Sequence, residues 1–288
     1  MSDKGRVTRR EAGANVTNVD VSEKREAFRQ LHERGCFALP NPWDIGSARY
    51  LQHLGFKALA TTSAGFAFSR GLADGAVGCG LMLAHIRELV EATDLPLNAD
   101  FENGYADDPD GVVENVRRCV ETGVAGLSIE DNSGRGDKPL YEVGFAAERI
   151  RAAKAAIGDS GVFLTGRAEC FLVGIDDINK VIRRLTAYAE AGADCLYAPG
   201  ISERNDIAAV VKAVAPKPVN VLISAPGGLT IRDAADLGVR RVSVGSGLAR
   251  AAWGGFIRAA KDLAEAGAFG GFAGATPHGE LQKFFKNQ

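Results

Sequence analysis

The sequence of 288 residues has no long hydrophobic run, no excess of one charge and no paired cysteine motif. No uncharged apolar stretch approaches the roughly 18 residues that a membrane helix requires, so we expect no membrane span. Lysine and arginine number 34 against 36 aspartates and glutamates, which leaves a net charge of −2. This balance argues against a protein dedicated to nucleic acids or to membrane surfaces.

Secretion signals and cysteine frameworks are missing as well. The N-terminus opens with polar residues and has no apolar segment of the kind that a secretory signal contains. The five cysteines are widely spaced and form no C-x-x-C pair, which argues against a disulfide or zinc framework. We therefore expect reduced thiols and a cytoplasmic protein.

The chain does contain a repeated unit of amphipathic helix, glycine and short apolar strand. The unit occurs four times, with its glycine and strand at residues 54–60, 122–129, 191–197 and 237–244. Glycine suits this junction because it ends a helix in the left-handed conformation without a steric penalty. Four further apolar runs lie before or between these units, at residues 36–39, 95–100, 161–167 and 217–223.

Eight short apolar strands, each followed by a helical pattern, predict an α/β protein with a parallel sheet. Strands without polar alternation are typical of a sheet that is covered on both faces. Eight similar units in a chain of this length favour a closed (β/α)₈ barrel, the TIM barrel. An open, doubly wound sheet is the alternative, but no glycine-rich dinucleotide loop follows the first strand.

The two ends of the chain lie outside the repeats. Residues 1–19 lack apolar periodicity, which predicts a flexible arm, and the barrel domain then spans residues 20–266. Its first helix begins at Asp20 and carries Phe28, so we expect it to cover the barrel floor. The tail, residues 267–288, ends in an apolar segment behind several glycines, which predicts docking on another surface such as a neighbouring subunit.

Charged residues are concentrated at the predicted ends of three consecutive strands. Asp100 ends the third strand, Glu130 the fourth and Arg167 the fifth. Active sites of such barrels lie at the carboxyl ends of the strands, so we expect these side chains to share one rim. Either acid alone could equally cap the following helix or form an ion pair, but three charged strand ends in succession favour a site.

Carboxylates without histidine indicate a hard divalent cation. None of the four histidines falls at a strand end, and oxygen ligands favour Mg²⁺, with Mn²⁺ as the alternative. Arg167 would balance the charge of the acids or bind a substrate carboxylate. The candidates for the general acid or base are Glu102 and Tyr105, which follow the third strand, and Arg135 and Lys138, which follow the fourth.

Five short motifs lie at or beside the predicted strand ends, at residues 41–49, 61–65, 98–105, 126–131 and 165–169. Together, in this order and spacing, they resemble the isocitrate lyase/phosphoenolpyruvate mutase superfamily, in particular a carboxyphosphonoenolpyruvate phosphonomutase-like member, over roughly residues 24–260. The resemblance implies a (β/α)₈ barrel whose C-terminal helix is swapped between subunits of a homodimer or homotetramer. It also implies bound Mg²⁺ and a chelated 2-oxo acid or enolpyruvate-like substrate.

The resemblance further implies a role for each matching residue. The implied substrate-binding residues are Thr62, Ser63, Ala64, Arg167 and Asn220. The implied metal site consists of Asp100 and Glu130, with Asn98 beside them and Asp74 in the outer shell. In such a site the metal and the arginine would stabilise an enolate oxygen as its charge develops.

Several positions depart from the family pattern. The usual D-x-D of the third strand reads Asn98-Ala99-Asp100, which removes one metal carboxylate, so either Glu102 replaces it or the metal binds more weakly. The Lys-Lys-Cys-Gly-His loop of the isocitrate and methylisocitrate lyases is missing, since residues 132–140 contain no cysteine. The Lys-Thr-Asn loop of the phosphonate mutase is also missing, and a proline replaces the acid or histidine of the sixth strand. These departures argue against isocitrate or methylisocitrate cleavage and against the mutase reaction.

Three functions remain as hypotheses. The leading one is a Mg²⁺-dependent lyase that acts on a small 2-oxo or 2-hydroxy carboxylate through an enolate and breaks a C–C bond, by retro-aldol cleavage or decarboxylation. The second is a mutase or hydrolase of the C–P bond in a phosphonopyruvate-like substrate. The third is a protein that has lost its proton donor and only binds a 2-oxo acid.

Overall fold

A computed structural model describes residues 19–227 and 229–287, and the predicted N-terminal arm, except for its last residue, lies outside the described residues. At the centre is one sheet of eight parallel strands. The strands are β1 (Phe37–Leu39), β2 (Leu59–Ala60), β3 (Leu97–Asp100), β4 (Gly126–Glu130), β5 (Phe163–Arg167), β6 (Cys195–Tyr197), β7 (Val219–Leu222) and β8 (Arg241–Ser243). This sheet confirms the predicted (β/α)₈ barrel.

The sheet closes between its first two strands. Its strand order is β1, β8, β7, β6, β5, β4, β3 and β2. The remaining gap is bridged by the backbone N–H of Ala60 in β2, which donates to the carbonyl oxygen of Pro40, just after β1, at 3.0 Å. The carboxyl ends of the strands therefore meet at one open rim.

Helices alternate with the strands around the outside of the barrel. The described helices are α1 (Val21–Leu31), α2 (Ile45–His53), α3 (Ser63–Ser69), α4 (Cys79–Ala92), α5 (Pro109–Val120), α6 (Val143–Ile157), α7 (Ile178–Glu190), α8 (Arg204–Val214), α9 (Ile231–Asp236), α10 (Gly247–Ala266) and α11 (His278–Lys286). Helices α3 and α11 are not among those that the sequence predicts. Within the described ranges, no helix is both long enough and apolar enough to cross a membrane.

Short polar side chains begin several of these helices. Asp44 forms a capping box at α2, where its carboxylate accepts from the backbone N–H of Ser47 at 2.7 Å. Thr230 forms the predicted capping box with Asp233 at α9. These caps satisfy N–H groups that a helix leaves without partners in its first turn, and so they fix where each helix begins.

The glycine of each repeated unit makes the expected turn. Gly55, Gly123, Gly192 and Gly238 have φ values of 84°, 90°, 106° and 87°, which glycine adopts without the steric cost that a Cβ atom would add. At Gly238 an added Cβ would also lie 2.9 Å from Cγ1 of Val211. The turn from helix into strand therefore depends on this residue type.

Helix α1 covers the amino-terminal end of the barrel. Phe28 is fully buried, and its ring meets the rings of Phe37 and Phe163 edge to face, with centroids 6.4 and 5.9 Å away. Those two residues begin β1 and β5, so α1 seals the end of the barrel opposite the open rim.

The C-terminal helices expose an apolar face. Of the 20 residues of α10, only Ala249 is buried, whereas Trp253, Phe256 and Ile257 are exposed. Helix α11 returns to α2, where the ring of Phe284 packs 5.1 Å from that of Tyr50. Helix α11 therefore contacts the barrel of its own chain in this structure, and α10 projects an apolar surface that one copy of the chain does not cover.

Candidate active site

The carboxyl ends of β3, β4 and β5 bring Asp100, Glu130 and Arg167 together. Nη1 of Arg167 lies 3.1 Å from Oδ1 of Asp100 and 3.1 Å from Oε2 of Glu130. Nε of the same guanidinium donates to Oε1 of Glu169, and its Cζ lies 5.3 Å from the ring centroid of Tyr197. The three strand-end residues singled out in the sequence therefore face one another beside a rim pocket of about 800 Å³.

Acids outnumber cations around this rim pocket. The acids that line it are Asp74, Glu102, Asp107, Glu130 and Glu169, and Arg167 is its one cation among the described residues. Burial raises the pKa of Glu130 well above its usual value, although Arg167 acts in the opposite direction. Burial alone would lower the pKa of Arg167, but Glu130, Glu169 and Asp100 hold it well above its usual value. The single positive charge of Arg167 therefore does not balance the acids of this site, and a further cation would stabilise their ionised forms.

The donor set around Arg167 suits a hard divalent cation. Mg²⁺ prefers oxygen and commonly takes one or two protein carboxylates together with water and substrate oxygens. Among the described residues, no three or more His, Cys, Asp or Glu side chains already stand as a metal-binding group, so a closed protein cage is not the arrangement present. Asp100 and Glu130 fit an open site, in which two carboxylates bind the metal together with water and substrate oxygens. Glu102 and Asp74 lie in the surrounding wall.

The loop after β3 presents Glu102 and Tyr105 to the rim pocket. The Tyr105 hydroxyl donates to Oε1 of Glu102 at 2.9 Å. Both residues have positive φ, 45° for Glu102 and 55° for Tyr105, which costs roughly 1–3 kcal/mol for a residue other than glycine. Burial raises the pKa of Glu102 to about 7, although the hydrogen bond from Tyr105 lowers it. Such a strained loop persists only where surrounding contacts hold it.

A buried arginine that the sequence analysis does not identify supplies those contacts. Arg149 on α6 is 1% exposed and donates to the carbonyl oxygens of Asn103, Ala106 and Asp107. Its Cζ lies 4.2 Å from the ring centroid of Tyr141. Nothing in the local sequence separates an inward-facing arginine of a helix from a solvated one.

Thr62, Ser63 and Ala64 lie where β2 leads into α3. The backbone N–H of Ser63 donates to Oδ2 of Asp100 at 2.9 Å, and its hydroxyl donates to Oδ1 of Asp74 at 3.2 Å. Oγ1 of Thr62 accepts from a backbone N–H in the first turn and so caps the helix. Burial raises the pKa of Asp74, and the charge of Asp100 raises it further. Ser63 therefore joins Asp74 to the acids at the rim.

Asn98 and Asn220 lie deeper in the barrel. Asn98 precedes Asp100 by two residues on the same face of β3, and it lines a second cavity of about 160 Å³ below the rim. Asn220 lines this inner cavity too and donates to the hydroxyl of Ser243 at 2.9 Å. Asp100 lines this inner cavity as well, whereas Glu102 lines the rim pocket. Glu102 is therefore the carboxylate of the β3 segment that reaches the rim pocket.

A hydrogen-bonded network behind the rim supports the end of β5. Oδ1 of Asp131 accepts from the backbone N–H of Glu169 at 2.8 Å. Oδ2 accepts from the Tyr188 hydroxyl at 2.5 Å and from Nη1 of Arg184 at 2.9 Å. Burial raises the pKa of Asp131, and these hydrogen bonds oppose that shift. The four-residue spacing of Arg184 and Tyr188 on α7 is the one signal in the sequence that could have indicated this pair.

The loop of residues 132–140 forms a small hairpin beside the rim pocket, with its two ends joined by an antiparallel bridge. Asn132 lines the pocket. Arg135 and Lys138 are exposed and are not part of its lining. Of the four candidates for proton transfer, the structure therefore brings Glu102 and Tyr105 to the pocket and leaves the other two outside it.

A family model and a curated relative match most of the chain. The model of the phosphoenolpyruvate phosphomutase family matches residues 28–264. The oxaloacetate decarboxylase of Paraburkholderia xenovorans is 32% identical over 249 residues, which cover 82% of this chain and 79% of that protein.

Solved structures agree with this fold over nearly the whole chain. A crystal structure of a Burkholderia cenocepacia J2315 protein is 48% identical, with a TM-score of 0.89, and the match covers 92% of this chain and 98% of that one. An oxaloacetate acetylhydrolase in complex with its product oxalate is 27% identical, with a TM-score of 0.80, and the match covers 91% of this chain and 94% of that one.

Proposed function

Because this chain belongs to the isocitrate lyase/phosphoenolpyruvate mutase superfamily, we propose that it is a Mg²⁺-dependent lyase that breaks a C–C bond in a small 2-oxo or 2-hydroxy carboxylate. The observation that carries the proposal is the guanidinium of Arg167 lying between Asp100 and Glu130 at the open rim. Two relatives named for oxaloacetate support a four-carbon 2-oxo dicarboxylate as the first substrate to test.

Arg167 would bind the negative end of this substrate. Its Nε is engaged by Glu169 and its Nη1 by Asp100 and Glu130, while Nη2 has no hydrogen-bond partner among the described residues. Nη2 is therefore free to donate to a substrate carboxylate or to a developing oxyanion. Glu169 would act as a positioning residue, because its contact with Nε sets the plane of the guanidinium.

Asp100 and Glu130 would hold the metal, with Glu102 and Asp74 acting through water. When bound, Mg²⁺ supplies positive charge that stabilises the enolate oxygen. We assign proton transfer to the pair formed by Oε1 of Glu102 and the hydroxyl of Tyr105, because these atoms are hydrogen-bonded to each other in the pocket wall. Thr62, Ser63, Ala64 and Asn220 line the inner cavity, which opens below Asp100 and Arg167, and there they would contact the rest of the substrate.

The test is turnover of oxaloacetate by the purified protein, with and without Mg²⁺. We expect pyruvate, or oxalate and acetate, to form only with the metal and to stop forming after EDTA treatment. D100N and E130Q should lower turnover by about 100-fold or more, because each removes a negative oxygen that the metal needs. E88Q, which changes an exposed acid on α4, should retain full activity. Metal-independent turnover, or full activity in both site variants, would contradict the proposal.

The same assay separates the two alternatives. Cleavage or rearrangement of the C–P bond of phosphonopyruvate, with no C–C cleavage of any 2-oxo acid, would identify the second hypothesis. Thermal stabilisation by oxalate, pyruvate or 2-oxoglutarate with Mg²⁺, but no turnover of any tested substrate, would identify a binding protein.

We also propose that the chain forms a homo-oligomer in which α10 packs against a second copy. The apolar face of α10 carries Trp253, Phe256 and Ile257 in exposed positions. An uncovered apolar surface of this kind is typical of an interface. Exchange of α10 between two copies, corresponding to the swapped C-terminal helix that the family resemblance implies, would cover this surface.

A further inference from the structure

The side chain of Tyr188 on α7 packs directly against the end of β5. It is fully buried, and a Cβ atom added to Gly166 would lie 2.9 Å from the Cβ atom of Tyr188. Gly166 immediately precedes Arg167 on this strand. Tyr188 therefore lies against the outer face of the strand that carries the guanidinium of the rim.

The Tyr188 hydroxyl is one of two donors to a single oxygen of Asp131. It donates to Oδ2 at 2.5 Å, and Nη1 of Arg184 donates to the same oxygen at 2.9 Å. This nitrogen of Arg184 also donates to the carbonyl oxygen of Tyr141 and to the hydroxyl oxygen of Tyr188. A tyrosine hydroxyl has one hydrogen to donate, so Tyr188 commits its donor to Asp131 alone, whereas Arg184 divides its donors among three oxygens.

Asp131 in turn holds the backbone on both sides of Ala168. Its backbone N–H donates to the carbonyl oxygen of Arg167 at 3.2 Å, and its Oδ1 accepts from the backbone N–H of Glu169 at 2.8 Å. Both oxygens belong to one planar carboxylate, so the donor that fixes Oδ2 also fixes the direction of Oδ1. The orientation of the Asp131 carboxylate therefore sets the position of the Glu169 backbone.

The Glu169 side chain carries this position to the guanidinium. Its Oε1 accepts from Nε of Arg167, and its side chain is buried beside the rim pocket. A guanidinium is planar and its donors have fixed directions, so a fixed Nε also fixes the direction of Nη2. A continuous chain of contacts therefore runs from the Tyr188 hydroxyl, through Asp131 and Glu169, to the nitrogen that would bind the substrate.

Stability alone does not account for this buried network. Asp131, Arg184 and Tyr188 are not in the described lining of the rim pocket or of the inner cavity, so they contact no substrate there. Replacing a buried ion pair by apolar side chains of similar volume is often neutral or stabilising. A polar network at this place is better explained by the direction that it gives to the groups in front of it.

We infer that Tyr188 is a positioning residue for Arg167. Through Asp131 and Glu169, its hydroxyl holds the plane of the guanidinium so that Nη2 faces the substrate. Arg184 supplies the positive charge that the Asp131 carboxylate needs in a buried place. The inference rests on the proposed function, because it gives Tyr188 a part in turnover of the substrate.

The first test is a double-mutant cycle on oxaloacetate turnover at saturating Mg²⁺. Y188F should lower kcat/KM by about 10-fold and E169A by about 10-fold or more, since small displacements of a positioned group reduce the rate strongly. The loss in Y188F/E169A should equal that in E169A, because the contact that Tyr188 supports is already gone. Y50F, which removes the hydroxyl of an exposed tyrosine, should keep the wild-type value.

A purely structural role would lower the melting temperature of Y188F without this pattern in kcat/KM. Wild-type kcat/KM in Y188F would therefore overturn the inference. Losses that multiply in the double variant would overturn it as well, because Tyr188 would then act by a route that does not include Glu169.

Crystal structures test the same inference without turnover. In Y188F, Oε1 of Glu169 should lie beyond hydrogen-bond distance from Nε of Arg167, whereas Y50F should keep the contact. If the wild type turned over no 2-oxo acid, the proposed function would fail, but these structures would still decide whether Tyr188 positions the guanidinium. An unchanged contact in Y188F would show that it does not.

R184K tests the inference through the other donor and covers the case in which Y188F does not fold. The lysine keeps a positive charge beside Asp131, and Tyr188 still fixes the carboxylate. We therefore expect kcat/KM to fall by no more than about twofold, since no buried charge is left uncompensated. A loss as large as that of E169A, or a displaced Glu169 in the crystal, would show that Arg184 orients the carboxylate and that Tyr188 does not.

Discussion

Arg167 contacts three carboxylates through two of its nitrogens. A guanidinium can do this because its donors are fixed in one plane and point in different directions, whereas a lysine ammonium is a single point. Lysine at this position would keep the positive charge but could not hold Glu169 and the pair of Asp100 and Glu130 at once. The geometry, and not the charge alone, is what the site requires of this residue.

We therefore expect R167K to lower kcat/KM for the substrate by about 100-fold or more, since a misplaced donor no longer meets the developing charge. The substrate KM should rise as well, because the donor at Nη2 is lost. Steady-state kinetics at saturating Mg²⁺ measure both effects. R204K, which alters an exposed arginine paired with Asp233, is the control. Wild-type kcat/KM in R167K would show that charge alone suffices.

The loop between β3 and α5 depends on a neighbouring element for its shape. Glu102 and Tyr105 occupy strained backbone conformations, and the carbonyls between and after them are held by Arg149 from α6. The loop and the helix are thus one unit, although 46 residues separate Arg149 from Asn103 along the chain. The proposed proton-transfer pair keeps its place because α6 packs beside it.

R149M should release this loop. Removing the guanidinium leaves three carbonyl groups without their donor, and we expect the free energy of unfolding to fall by about 3 kcal/mol. Hydrogen exchange should rise at residues 101–108 more than elsewhere, and turnover should fall by about 10-fold. R151M, which alters an exposed arginine on the same helix, should change neither.

Should R149M unfold as a whole, R149K provides the second measurement. Lysine keeps the charge but reaches fewer carbonyls, so faster exchange confined to the loop is again expected. Exchange that stays at the wild-type level in residues 101–108 of a folded variant would show that the loop holds its own shape.

At the scale of the whole molecule, one copy of the chain leaves the apolar face of α10 uncovered. Phe256 is 61% exposed, and its neighbours on the same face, Trp253 and Ile257, are exposed too. Helices α4 and α7, by comparison, bury large apolar residues such as Ile86, Leu89 and Leu185. A partner that covers α10 would bury the apolar residues of this helix too.

We expect the wild type to elute as a homodimer or homotetramer and F256E to shift toward the monomer, because a carboxylate would be buried without a partner in the interface. Size-exclusion chromatography with light scattering measures the mass directly. R258E, on the same helix, changes a polar position and should keep the wild-type mass. A monomeric wild type would contradict the proposal.

Much of this architecture follows from local patterns. The eight strands and most of the helices match the positions of apolar runs and glycine turns. A strand that is buried on both faces needs a short apolar run, and the left-handed turn before it needs a glycine, so both leave a local signal in the sequence. The sequence does not predict α3, because a helix of only seven residues is too short to show a clear apolar periodicity. Asp100, Glu130 and Arg167 could be paired in advance because strand ends of one barrel share a rim.

The apolar runs, the glycine turns and the charged strand ends are enough to predict the barrel and the rim where Asp100, Glu130 and Arg167 meet, since each of these depends on the chemistry of short segments. The partners of the buried arginines follow from the packing of distant elements. Arg149 reaches the β3–α5 loop, Arg184 reaches Asp131 across 53 residues, and Arg241 donates to Asn220 and Thr165 inside the barrel. These contacts depend on how whole elements pack, and no spacing along the chain encodes that packing.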